Sequence, residues 1–135
     1  MFFIELISFY DNIILLKLMN TATNQIGGEV EISLTLFCQL TKPGETVKVT
    51  GNMSELGNWN PVKAVPLKTG PSEFPKWKGT LKIKLDNLSG KLEYKYLILR
   101  EIDNHVIQWE PFDGNRIVEL SKLSKAIVED IYGQH

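Results

Sequence analysis

A single cysteine, Cys38, has no partner within the 135 residues, so an internal disulfide is excluded, as is any zinc site built on several thiolates. That usage fits a reducing compartment, and a cytoplasmic location is the expectation. Histidine is nearly as scarce. His105 and His135 are the only two, too few for a metal cluster without cysteine beside them, so neither a metal nor another cofactor is expected. Charge of one sign is lacking too: 15 lysines and arginines face 16 aspartates and glutamates, for a net charge of -1. A globally basic nucleic-acid binder is excluded on that balance. Internal repeats and low-complexity runs are absent, and the length suits one domain with an appended arm, not a second enzyme domain.

What is abundant at the start is apolar side chains. Residues 1–19 (MFFIELISFYDNIILLKLM) hold 14 of them, with Glu5, Ser8, Asp11 and Asn12 recurring at three- to four-residue spacing as one polar stripe. The pattern predicts an amphipathic helix. A secretory signal would start with a positive region, whereas the first basic residue is Lys17 and two acids interrupt the run. Glu5 and Asp11 also count against a membrane span. Three readings stay open: a helix packing on the domain or a partner, a targeting or anchoring segment, and sequence preceding a start at Met19. Residues 20–28 (NTATNQIGG) read as a linker.

From Glu29 the text becomes short strands. Val30, Ile32, Leu34 and Leu36 alternate with Glu31, Ser33 and Thr35, the period of a half-buried strand. A turn at Lys42-Pro43-Gly44 precedes TVKVT (46–50). In WKGTLKIKL (77–85), Trp77, Gly79, Leu81, Ile83 and Leu85 share one face and the lysines share the other, so Trp77 points inward. KLEYKYLILR (91–100) places Leu92, Tyr94, Tyr96 and Ile98 on one face, Glu93 and Lys95 on the other. VIQWE (106–110) and RIVEL (116–120) follow. About seven strands with turns every ten or so residues predict an all-β sandwich or barrel. After Leu120, the spacing of Leu123, Ile127 and Ile131, with Ser121 as N-cap and Gly133 beyond the end, predicts a short helix over residues 122–132. The expected organisation is an N-terminal helix and linker (1–28), a β domain (29–120) and a C-terminal helix (121–135), either helix being available for self-association or a protein partner.

Two tryptophans fall outside the alternating pattern. Trp59 sits in SELGNWNPVKAVPL (54–67) among turn residues Gly57, Asn58, Asn60 and Pro61, and Trp109 precedes Glu110 and PFDGNR (111–116). Each is either a buried plug or an exposed platform. A glucose ring has a face of C–H groups that suits an aromatic plane, and hydroxyls that want amide, carboxylate and ammonium partners. Two angled indoles amid polar residues match that mixture.

The ordered set Gly51, LGNW (56–59), Lys63-Ala64, Pro66-Leu67, Trp77, EYKY (93–96), WE (109–110) and NR (115–116) resembles the starch-binding module of carbohydrate-binding module family 20 over residues 29–120. The resemblance implies an immunoglobulin-like antiparallel β-sandwich that binds α-1,4-glucans (starch, amylopectin, glycogen, maltooligosaccharides and cyclodextrins) without catalysis and targets a protein to the polymer. Carried over by motif, it implies Trp59 and Trp109 as stacking platforms, with Lys95, Glu110 and Asn115 bonding hydroxyls. The turn between EYKY and WE is enlarged here (EIDNH), as is the spacing from WE to NR. Where the family has tyrosines for a second site, this chain offers Lys42-Pro43-Gly44 and GPSEFP (70–75), with Phe74 as the lone aromatic.

Each feature has a plainer reading. Lys95 is otherwise a solvated strand lysine. Glu110 and Asp113 suggest a glycosidase's carboxylate pair, but a small sandwich offers no evident cleft. The row Lys76, Lys78, Lys82 and Lys84 is either a sheet face kept soluble by charge or a contact for phosphate on a nucleic acid or phosphorylated glucan. The alternative functions are a protein–protein interaction module of a glucan-associated regulatory complex and a single-strand nucleic-acid binder, the latter opposed by the net charge.

Overall fold

The computed structural model describes residues 28–85, 90–120 and 125–135. The helix expected near the N-terminus lies outside them. The chain divides into two units, residues 1–29 with 84–89 and residues 30–83 with 90–135. In the first, the Leu85 N–H donates to the Gly28 carbonyl (2.8 Å); the second carries the site.

Among the described residues eight strands form: β1 (Glu29–Phe37), β2 (Glu45–Gly51), β3 (Val65–Pro66), β4 (Lys76–Lys84), β5 (Lys91–Arg100), β6 (Val106–Trp109), β7 (Arg116–Glu119) and β8 (Lys125–Ile131). They make a three-stranded sheet, β4-β1-β8, and a five-stranded sheet, β3-β2-β5-β6, with β7 also on β5. Period-two patterning decides which side chains enter the interior. Val30, Ile32, Leu34 and Leu36 of β1, Val47 and Val49 of β2, and Leu92, Tyr94, Tyr96 and Ile98 of β5 are all buried, each worth about 1.5–3 kcal/mol of transfer free energy for the aliphatics. Trp77 is inward as expected, 6% exposed, its indole N–H donating to the Cys38 carbonyl (3.2 Å).

Two features depart from the expectation. The described part of the expected C-terminal helix, residues 125–132, forms a strand instead: β8 pairs parallel with β1, Glu31 opposite Lys125 through Phe37 opposite Ile131, whereas the pairs of the five-stranded sheet are antiparallel. Of the stripe that suggested a helix, the two described members face outward, Ile127 80% and Ile131 50% exposed. Side chains two apart, Ala126, Val128 and Asp130, are instead the half-buried row. Asp130 has partners on that side that no local pattern reveals: Tyr94 and Tyr96 hydroxyls donate to it at 2.9 and 2.8 Å, and Arg116 at 3.2 Å. Gly133, expected to cap the helix, sits at φ 80° in the turn after the strand.

Second, β5 is buried on both faces. Leu97 and Leu99, opposite to Tyr96 and Ile98, pack with Ala64, and Val106 and Trp109 lie against them. The outer face of the five-stranded sheet thus carries a small apolar cluster of its own.

Candidate functional site

The segment after β2 is tied down before it reaches Trp59. The buried Thr50 hydroxyl donates to the Leu56 carbonyl (2.6 Å), and Asn52 Oδ1 accepts from the Glu93 N–H (3.0 Å). Leu56 is fully buried and anchors the short 3-10 turn Ser54–Leu56. Gly57, Asn58 and Trp59 then take φ of 81°, 50° and 66° in succession. That left-handed run reverses the chain and lets the Trp59 N–H donate to the Gly51 carbonyl (3.0 Å). Gly51 itself is required by crowding, since a Cβ there would lie 2.3 Å from the Glu93 carbonyl oxygen. Asn60-Pro61 restarts the chain as a second 3-10 turn, Pro61–Lys63, with Asn60 Oδ1 accepting from the Val62 N–H (3.0 Å) and proline first in the turn.

A tryptophan at positive φ costs roughly 1–2 kcal/mol relative to the right-handed region. Its indole is only half-buried, so packing does not force the conformation. Such strain, kept where no core demands it, makes Trp59 a candidate functional residue.

Trp109 ends β6 directly opposite Leu97, so both side chains stand on the outer face of β5. One side of the indole rests on the Ala64, Leu97 and Leu99 cluster and the residue remains half-exposed. Lys95 stands on that same face two residues before Leu97, opposite Thr50, whose neighbour Gly51 holds Trp59. Both tryptophans and Lys95 are therefore assembled within a few ladder positions.

β6 and β7 both lie along β5, the first against Leu97–Leu99, the second against Lys91–Tyr94, and the 110–115 segment spans the interval. Lys95 Nζ donates to the Phe112 carbonyl there (2.6 Å) and lies 4.7 Å from the Phe112 ring centre. His135 stacks on that ring at 4.7 Å and 7°. Asn115 donates from Nδ2 to Glu93 Oε1 (3.3 Å), and its carbonyl lies 3.1 Å from His135 Nε2. Lys95 and Asn115 are half-buried, polar and adjacent to solvent.

Glu110 occupies a different position from the other four residues. It is 2% exposed. Its Oε1 accepts from the Tyr96 N–H (3.1 Å) and Arg116 Nε (3.0 Å), its Oε2 from an Arg116 terminal nitrogen (2.7 Å) and the Gly133 N–H (2.8 Å). Four donors fill the carboxylate's acceptor positions, so the hydroxyl contact expected of this group is closed to it. Glu110 instead clamps Arg116, and with it both ends of the 110–115 segment. Burial by itself would lower the Arg116 pKa, but hydrogen bonds and charge from Glu110, with Asp130 behind, carry it upward. Burial, then the Asp130 charge, pushes both Tyr94 and Tyr96 well above the usual phenol range. These side chains are neutral hydrogen-bond donors.

Phe112, Arg116 and Asp130 were not anticipated. Phe112 lies in a turn-rich stretch and Asp130 in a segment read as a helix, so neither gave a local signal of its role.

Comparison with known proteins identifies the family. The family described as starch binding domain matches residues 29–128. A glucan 1,4-alpha-maltotetraohydrolase of Roseateles saccharophilus is 35% identical over 92 residues, 67% of this chain and 16% of that protein. A second protein of that name, from Stutzerimonas stutzeri, is 33% identical over 106 residues, 75% of this chain and 19% of its own. The chain thus spans under a fifth of the curated relatives it matches. Among solved structures, the family 20 carbohydrate-binding module of the maltotetraose-forming amylase from Pseudomonas saccharophila STB07 superposes with a TM-score of 0.59 at 33% identity, covering 74% of this chain and 99% of that one. The family 15 glucoamylase from Hypocrea jecorina gives 0.68 at 28% identity, covering 82% of this chain and 18% of that one.

Proposed function

The chain belongs to the starch-binding domain family, and from that premise we propose that it binds α-glucans through Trp59 and Trp109 as stacking planes, with Lys95 and Asn115 bonding hydroxyls at their margin. The observation that carries this reading is Trp59, half-exposed and held by its own backbone in a left-handed conformation on a loop bonded to the end of β2, together with Trp109, a second half-exposed indole backed by leucines on the sheet that contains β2. Glu110 contributes by rigidity, fixing the segment that holds Asn115.

Stacking supplies most of the affinity. About 100 Å² of apolar surface per indole corresponds to ~2.5 kcal/mol gross, and association costs several kcal/mol in return. The expected Kd for maltoheptaose or β-cyclodextrin is about 10 μM to 1 mM, weak enough that a polymer with many sites is the natural ligand. Non-catalytic attachment accords with the ion pairing of Glu110, which withdraws that carboxyl from the proton transfer a glycosidase needs. In relatives named as amylases and glucoamylases the matched region is a minor part of the chain. By the same arrangement this module docks a protein onto starch or glycogen.

The test is co-sedimentation with granular starch and glycogen, with fold checked by circular dichroism. Wild type should pellet, and folded Trp59→Gly and Trp109→Ala should stay in solution. A wild type left in the supernatant, or folded variants that still pellet, would defeat the reading.

A further inference from the structure

The lysine row of β4 is not uniform. Lys68 and Lys78 form a two-residue antiparallel bridge outside the main ladders, each N–H donating to the other's carbonyl at 2.9 and 2.8 Å. Residues that exchange both bonds stand directly opposite, Cα atoms about 5.5 Å apart, side chains on one face. Like charges in that position are destabilising. Neither lysine's ammonium group has a hydrogen-bond or ion-pair partner among the described residues.

Both line one cavity of about 690 Å³, inside the ~300–1,000 Å³ range of small-molecule sites. Its floor is the outer face of the three-stranded sheet at Thr35, and its wall is the 69–73 loop, including Ser72 and Glu73. Thr69, in the same lining, has a buried Oγ1 without a hydrogen-bond partner among the described residues. Two lysines, one acid and the hydroxyl-bearing Ser72 and Thr35 thus line a common space on the three-stranded sheet, whereas Trp109 belongs to the five-stranded one.

We propose that this cavity is a second, separate site that takes a phosphate group, carried as a monoester on the glucan or free. A phosphate monoester brings about -1.5 to -2 charges and three acceptor oxygens. That offsets both ammonium groups and gives the Ser72 and Thr35 hydroxyls acceptors. A carboxylate offsets one lysine only, and Glu73 already supplies one. The glucan-borne form rests on the reading above, whereas the phosphate contact itself does not, because it uses none of the residues on the tryptophan face.

The experiment is amide NMR of the full chain titrated with inorganic phosphate and with glucose 6-phosphate, in wild type, Trp59→Gly and the double variant Lys68→Gln/Lys78→Gln. Lys68, Thr69 and Lys78 amides should shift and saturate at about 1–10 mM ligand, in wild type and Trp59→Gly alike, and not in the lysine variant. In parallel, phosphate-bearing amylopectin should bind wild type about three- to tenfold more tightly than the same polymer after phosphatase treatment, the size expected of exposed charge pairs. The lysine variant should bind both at the lower level.

Failure of any glucan to bind, with the phosphate shifts intact, sinks the glucan reading and leaves a free-phosphate site. Phosphate shifts without any polymer preference likewise identify free phosphate as the source. Absence of shifts in wild type, or shifts that survive the double substitution, overturns the proposal while leaving the tryptophan site standing.

Discussion

Replacing Arg116 by methionine removes the centre of the largest polar network among the described residues while keeping most of the side chain's volume. The guanidinium is 7% exposed and is bonded to Glu110, Asp130 and the Ile131 and Gln134 carbonyls at 2.7–3.2 Å. Its loss strands the Glu110 carboxylate, whose side chain has no solvent exposure, and breaking one partner of a buried pair costs about 3–5 kcal/mol. Two backbone N–H groups still bond Glu110, so the lower end applies, ~3 kcal/mol, or roughly 10–20 °C in melting temperature for a domain near 100 residues. Urea unfolding followed by tryptophan emission reads this directly. Glu110→Gln in the same chain removes the stranded charge, so the double variant should be more stable than the sum of single losses by ~1.5 kcal/mol or more. A loss under ~1 kcal/mol for Arg116→Met, or strict additivity, would show that the network is not what fastens the 110–115 segment and β8 to the sandwich.

Trp59→Gly should be more stable than Trp59→Ala by about 0.5–1 kcal/mol in the same unfolding assay, because only glycine meets φ 66° without strain; equal stabilities would remove the strain argument. Thr50→Val, isosteric but lacking the 2.6 Å bond to Leu56, should cost about 1–2 kcal/mol and weaken glucan binding through the loosened loop, and unchanged affinity would show that Trp59 needs no such anchor. The Asp103 carboxyl, bonded first by Arg100 and then by the His105 N–H, should titrate at about 2 instead of 3.8. A depressed carboxyl stabilises the fold above its unfolded value, and the contribution is lost as pH falls from about 4 through 2; carboxyl-carbon NMR in wild type and Arg100→Ala, where the midpoint should return upward, checks it.

The sandwich was legible because a strand buried on one face writes that fact at period two, and residues 30–36 and 77–83 do so without ambiguity. The inward Trp77 and the turn at Asn60-Pro61 follow from the same local rules. Trp59 and Trp109 stood out by falling outside the alternating pattern, and the family resemblance added Lys95, Glu110 and Asn115 as their expected partners. What the one-dimensional text could not carry was partnership over long separations. Leu123, Ile127 and Ile131 fit a helical stripe as well as any core helix, and only the free edge of β1, with Asp130 meeting Tyr94, Tyr96 and Arg116, makes the segment a strand. Glu110 reads identically whether it faces a sugar or an arginine. The fold decides, by bringing four donors around its carboxylate from β5, β7 and the turn after β8, because a buried charge is tolerated only where its partners converge from distant parts of the chain.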